Sequence, residues 1–244
     1  MVDLRRTFWI FDWDGTLIDL APTPDSIQVP PETIDHLEIL RRHCAGRVAI
    51  VSGRALKDLE SRIPLPQLSL VGNHGAQWRV NGQYGVKKLG QAEADELKEA
   101  TAILSRLSQK YPGSELENKE WTLSFHVRNV DPKKHQSVRE AVYHGIRQFL
   151  HLQIRPAKSC WEIRPLSAPS KGDAVKHLAG DALTPVIFGD DATDEDMFLT
   201  APAHAITVIV GPRRPTQARF SLSSPKALRD ILRELAGHAS QLGE

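Results

Sequence analysis

Apolar residues cluster in short runs: Phe8-Trp9-Ile10-Phe11, Val48-Ala49-Ile50-Val51, Leu68-Ser69-Leu70-Val71, Pro185-Val186-Ile187-Phe188 and Ile206 to Val210. Runs this short, with little polar alternation, predict strands buried in a parallel sheet. Helical spacing fills the gaps. Pro30-Pro31 opens a helix carrying Ile34, Leu37 and Leu40 on one face, and Ser224-Pro225 opens another carrying Leu228, Ile231, Leu232 and Leu235. Ser170 is placed to cap a helix running to Leu178. Between Gln77 and Pro165 the pattern changes. Asn81-Gly82 marks a hairpin turn within Gln77 to Lys88. Helices are expected from Gln91 to Leu107 and from about Pro132 to Leu150. The strands here alternate: Leu123, Phe125 and Val127 oppose Ser124, His126 and Arg128, and Trp161 and Ile163 oppose Glu162 and Arg164. This is an α+β layer with one polar sheet face, set inside an α/β chain.

Bulk properties narrow the classes. The 244 residues suffice for one large or two small domains. A formal charge of +1 gives no general attraction to nucleic acid or to an anionic membrane. No apolar run approaches the ~20 residues that span a bilayer. The lead-in from Met1 to Arg6 leaves no room for a signal peptide before the first strand. Cys44 and Cys160 have no CxxC partner and read as reduced thiols of a cytoplasmic protein.

The polar residues at the strand ends carry the candidate chemistry. Asp12 and Asp14 follow the first run and, two residues apart, can face one cleft where open α/β sheets bind ligands. Carboxylates that close require a positive neighbour, a divalent cation or a lysine. Ser52-Gly53-Arg54 follows the second run, where a hydroxyl and backbone amides can hold a phosphate. Alone it is a common turn. Lys171 occupies the first turn of its helix, where the helix dipole disfavours a cation unless an anion is close. Gly189-Asp190-Asp191-Ala192-Thr193-Asp194-Glu195-Asp196 puts five carboxylates in seven residues, as a solvated acidic loop or a Mg²⁺ site.

Taken together, Asp12/Asp14, Ser52, Lys171 and Asp190/Asp191 occur in the order of the four motifs of haloacid-dehalogenase-like (HAD) phosphatases. More narrowly, the chain resembles trehalose-6-phosphate phosphatases. The resemblance rests on Phe11 to Leu17, Ser52-Gly53-Arg54, Gly72-Asn73-His74-Gly75, Glu117-Asn118-Lys119, His126-Val127-Arg128, Glu162-Ile163-Arg164-Pro165, Lys171-Gly172 and Gly189 to Phe198. It implies a Rossmann-like HAD core from residues 1–77 and 167–244. Residues 78–166 would form an inserted α+β cap domain of the C2 type, its polar face closing over the core cleft.

The same resemblance implies the roles. Asp12 would be the nucleophile and Asp14 the general acid and base. Asp12, the Asp14 carbonyl and Asp190 would hold Mg²⁺, with Asp191 and Asp194 behind them. Ser52 and Lys171 would bind the phosphoryl oxygens. Glu117, Lys119, Arg128, Glu162 and Arg164 would bind the sugar, with Arg54 and His74 near the hinge. The expected partner is a small sugar phosphate, with no nucleic acid and no membrane. A monomer is expected, and a trehalose-6-phosphate synthase is the pathway partner the resemblance brings in. Sucrose phosphate and mannosyl-phosphoglycerate remain alternative substrates. A phosphosugar-sensing module without turnover remains an alternative class, against which the intact Asp12, Asp14, Lys171 and Asp190 argue.

Overall fold

A computed structural model describes residues 6–23, 26–157, 159–179 and 183–241. The lead-in from Met1 to Arg5 and the Pro24-Asp25 end of the proline-rich loop lie outside the described residues. The chain begins with β1 (Thr7–Phe11), α1 (Pro31–His43), β2 (Val48–Val51), α2 (Leu56–Arg62), β3 (Ser69–Gly72), β4 (Gln77–Val80) and β5 (Gln83–Val86). It continues through α3 (Gln91–Lys110), β6 (Glu115–Asn118), β7 (Leu123–His126), α4 (His135–Ile146), β8 (Leu152–Ala157) and β9 (Cys160–Pro165). It ends with α5 (Lys171–Ala179), β10 (Thr184–Gly189), α6 (Glu195–Thr200), β11 (Ile206–Val210), β12 (Phe220–Leu222) and α7 (Pro225–Gln241). Two compact units result, Met1–Val86 with Pro169–Glu244, and Lys87–Ala168.

The first unit is built on a sheet ordered β12-β11-β10-β1-β2-β3-β4-β5. It is parallel from β12 to β3 and antiparallel through the β4–β5 hairpin. Alternate residues of the apolar runs point to opposite faces, and each face is covered. Trp9, Phe11, Ile50 and Phe188 pack with Leu37 and Leu40 of α1 and Leu228 and Leu232 of α7. Phe8, Ile10, Val51 and Ile187 pack with Val175 of α5 and Met197 and Phe198 of α6. The α/β expectation with a parallel sheet is borne out. The chain leaves β1 toward β2 on one side and later returns as β10 on the other. The crevice at the carboxyl ends of β1 and β10 is therefore the topological switch point.

The second unit is an antiparallel sheet ordered β6-β7-β9-β8. Leu123, Phe125 and Ile163 pack with Leu97 and Leu104 of α3 and Val138, Val142 and Ile146 of α4. The expected boundaries shift at both ends: residues 78–86 belong to the first unit, because β4 is hydrogen-bonded to β3 and β5 to β4, and residues 167 and 168 belong to the second. The alternating strand expected around Leu123 to Arg128 is β7, and β6 precedes it as a second strand. Among the described residues, no helix is long and apolar enough to cross a membrane.

Candidate active site

Register places the strand-end residues side by side. Phe11 pairs with Phe188 of β10 and with Ile50 of β2, so Asp12, Asp190 and Ser52 each lie just beyond the paired segment. The Asp12 amide still donates to the Phe188 carbonyl at 2.9 Å, which holds its side chain at the sheet's rim. The chain then turns sharply, with the Gly15 amide donating to Ile18 at 2.7 Å. Gly15 has φ +84°, and any Cβ there would collide with the carboxylate of Asp190, so only glycine lets the two loops meet.

Lys171 stands at the centre. Its Nζ donates to Asp12 Oδ1 at 2.6 Å and to Asp194 Oδ1 at 2.7 Å. The dipole conflict expected for a lysine in a first turn is thus answered by two protein carboxylates. Ser170 caps the helix as expected: Asp173 N donates to Ser170 Oγ at 3.2 Å, and Ser170 N donates to Asp173 Oδ2 at 2.9 Å. Asp194 is fully buried, and its Oδ2 accepts from the amides of Asp190 and Asp191 at 2.8 and 3.0 Å. It ties the acidic loop to Lys171. Asp191 accepts from the amide and hydroxyl of Thr193 at 2.8 and 2.7 Å.

The charges are mutually set. Burial, and then the charge of Asp194, pushes the Asp12 carboxyl well above the usual carboxylate range, with Lys171 pulling the other way. Burial also raises Asp194. Burial opposes the Lys171 charge, but Asp12 and Asp194 outweigh it and hold the ammonium protonated. Asp191 is held low, since Lys171 and Thr193 overcome its burial. Carboxylate oxygens of Asp12, Asp190 and Asp194 lie within 4.8 Å of one another. Three carboxylates this close, of which two bond the one ammonium, leave excess negative charge, and hard oxygen ligands suit a hard divalent cation.

Ser52 is buried, and its Oγ accepts from the Arg54 amide at 3.2 Å, leaving its own proton to donate. His74 donates its amide to Ser52 O at 3.0 Å, and its ring lies over Gly53, where a Cβ would come within 2.6 Å of Nε2. Arg54 is directed at Asp14: Nε donates to Oδ2 at 2.6 Å and Nη2 to Oδ1 at 2.8 Å. Its Nη1 donates to Asp58 Oδ2 at 2.6 Å. Burial works against the Arg54 charge, but the bonds to Asp14 and Asp58 hold it above its ordinary value.

In the second unit the polar face is a set of cross-strand rows. Glu117 pairs with Ser124, Ser124 with Glu162, and Glu162 with Arg155. His126 Nε2 and Glu117 Oε2 share a hydrogen bond of 2.9 Å, and Lys119 lies 3.8 Å from Glu117. Glu162 and Arg164 are 3.9 Å apart. Arg128 lies past the end of β7 in an exposed turn. Asp58 and Arg155 lie outside the motifs that the sequence marks. So does Arg214, whose Nε donates to the Asp190 carbonyl at 3.3 Å and whose Nη2 lies 3.2 Å from Glu195. A signal existed for Arg214, since Arg213-Arg214 directly follow the Gly-Pro at the end of an apolar run.

Known proteins resemble this chain throughout. The sequence profile of a family described as trehalose-phosphatase matches residues 10–226. The trehalose-phosphate phosphatase of Mycobacterium tuberculosis is 30% identical over 244 residues, covering 95% of this chain and 62% of that relative. The chain thus spans less than two thirds of that relative's length. The trehalose-6-phosphate phosphatase of Escherichia coli is 32% identical over 196 residues, covering 78% of this chain and 71% of that protein. The C-terminal domain of the Candida albicans trehalose-6-phosphate phosphatase superposes with a TM-score of 0.82 at 24% identity, covering 96% of this chain and 92% of that one, a likeness of fold.

Proposed function

This chain belongs to the trehalose-phosphatase family, and from that premise we propose that it hydrolyses trehalose 6-phosphate to trehalose and inorganic phosphate. The observation that carries the reading is Asp12 at the end of β1, bonded to Lys171 and grouped with Asp190 and Asp194.

An oxygen of Asp12 attacks phosphorus and displaces the sugar oxygen, giving an aspartyl-phosphate. Asp14 gives its proton to the departing sugar oxygen. Water then attacks the same phosphorus and Asp14 takes its proton, which breaks the bond to Asp12 and frees phosphate. Lys171 and Ser52 bind the phosphoryl oxygens while charge moves across them. Asp12, the Asp14 carbonyl and Asp190 would hold Mg²⁺, which supplies positive charge to the phosphoryl oxygens and the nucleophile. Asp194 keeps Lys171 and the Asp190–Asp191 backbone in place, and Asp191 lies in the same loop.

For the sugar, the reading assigns Glu117, Lys119, Arg128, Glu162 and Arg164. Paired carboxylates and cations suit a ligand rich in hydroxyls, and a site built for those hydroxyls rejects sugars that lack them. Arg54 and His74, assigned to the sugar near the hinge, also bear on the Asp14 and Ser52 turns. A synthase that makes the sugar phosphate is the reaction that must supply this substrate. The cytoplasm is the proposed setting, and the free thiols of Cys44 and Cys160 agree with a reducing compartment.

Phosphate release with Mg²⁺, measured across trehalose 6-phosphate, sucrose 6-phosphate, mannosyl-phosphoglycerate and glucose 6-phosphate, tests the reading. Trehalose 6-phosphate is expected to give the highest kcat/KM by at least about tenfold. A higher value for another sugar phosphate reassigns the substrate. Binding without release, for every ester, leaves only a sensor.

A further inference from the structure

Both carboxylate oxygens of Asp14 are held by one guanidinium, and that guanidinium is anchored without Asp14's help. Arg54 donates Nε and Nη2 to Asp14 and Nη1 to Asp58 Oδ2. The other oxygen of Asp58 accepts from Arg62 Nε at 2.9 Å, within α2. The Arg54 side chain is 9% exposed, and Asp14 is 28% exposed. The terminal torsion of an aspartate is broad, so one hydrogen bond would leave the plane of its carboxylate free. A two-point charge-assisted fork fixes that plane. Each forked oxygen keeps a second lone pair for the proton that is given and taken, so acid and base catalysis depend on where those oxygens are held, and a misplacement of ~1 Å costs about a hundredfold.

We propose that Arg54 is the positioning residue of the acid–base carboxylate, and that Asp58 and α2 hold Arg54 for this task. The inference rests on the phosphatase reading above and deepens it. Arg54 acts through Asp14, and the sugar plays no part in the contact.

The test uses leaving groups. The step reported by kcat/KM is the transfer of phosphorus to Asp12. An ester whose leaving group departs readily as an anion, such as p-nitrophenyl phosphate, needs little help from an acid, whereas an alkyl phosphate needs much. A series of aryl and alkyl phosphates is measured at one pH, with Mg²⁺, on the wild type, Arg54→Lys, Asp58→Asn and Asp14→Asn. Lysine keeps the buried charge but cannot make the fork. The Asp14→Asn series sets the scale, with losses that grow as the leaving group becomes more basic. Arg54→Lys is expected to follow the same trend, from about threefold for p-nitrophenyl phosphate to about thirtyfold for alkyl esters. Asp58→Asn, which leaves the fork intact but frees its anchor, falls between Arg54→Lys and the wild type. An equal loss on every ester, or none, in Arg54→Lys beside a graded Asp14→Asn series overturns the role of Arg54. A flat Asp14→Asn series instead overturns the acid assignment itself, and the role of Arg54 with it.

Discussion

Asp194 carries more structure than any other acidic residue of the site. It accepts from Lys171 on one oxygen and from two backbone amides on the other, with no exposure to solvent. An amide in its place must turn an N–H toward Lys171 or toward those donors. Lys171 keeps Asp12 when Asp194 is neutralised, so the loss is that of a buried hydrogen-bond acceptor, about 1–3 kcal/mol. Asp194→Asn is therefore expected to lower unfolding stability by ~2 kcal/mol in urea titration, even without metal or substrate. Wild-type stability for that variant would mean the loop is held by other contacts. Asp12, Asp14, Ser52, Lys171 and Asp190 were legible because each stands where an apolar run stops or a helix starts. What Arg54 touches was not legible. Its partner Asp14 is forty positions away, and nothing local distinguishes a sugar-binding arginine from one that forks onto a carboxylate.

At the scale of elements, α1 shows how a helix staples itself. Arg41 donates Nε and Nη2 to Glu38 at 2.7 and 2.9 Å, and Arg42 donates Nε at 2.8 Å. The Arg41 bonds are the main cause that lowers the Glu38 carboxyl from 4.5 to about 2. A carboxyl lowered by folding contributes stability that is complete above its ordinary value and is lost as pH falls through its folded value. The group is partly solvated, so the contribution is discounted to ~1 kcal/mol. Glu38→Gln is expected to lower stability by that amount at pH 7, the difference vanishing as pH falls from about 4.5 toward 2. A pH-independent difference would assign the effect to helix propensity instead. Helices and central strands followed from periodicity because each buries a continuous face. The misses have local causes. β8 contains Pro156, which argues against a strand, yet β8 is an edge, where a missing N–H faces outward. The turn from β6 to β7 has neither glycine nor proline, and Glu120 supplies its left-handed conformation at φ 68°. Such a turn leaves little mark in sequence.

Across the whole chain, the change from continuous apolar runs to half-polar strands marks the second unit, although the β4–β5 hairpin belongs to the first. The division of labour this suggests is testable. Glu162 pairs across the sheet with both Ser124 and Arg155 on the polar face, the opposite face from the packed Ile163. Glu162→Ala is expected to lower kcat/KM for trehalose 6-phosphate by at least about tenfold, ~1.4 kcal/mol, and to change p-nitrophenyl phosphate hydrolysis much less. Equal losses would place the damage at the phosphoryl site. The central claim is that trehalose 6-phosphate passes its phosphoryl group to Asp12. Acid quenching during turnover of trehalose 6-phosphate labelled in that group, followed by peptide mapping, examines it directly. The account predicts a hydroxylamine-labile label on the peptide carrying Asp12, formed as fast as turnover and lost in Asp12→Asn together with phosphate release. Turnover without that label, or a label that persists in Asp12→Asn, would contradict it.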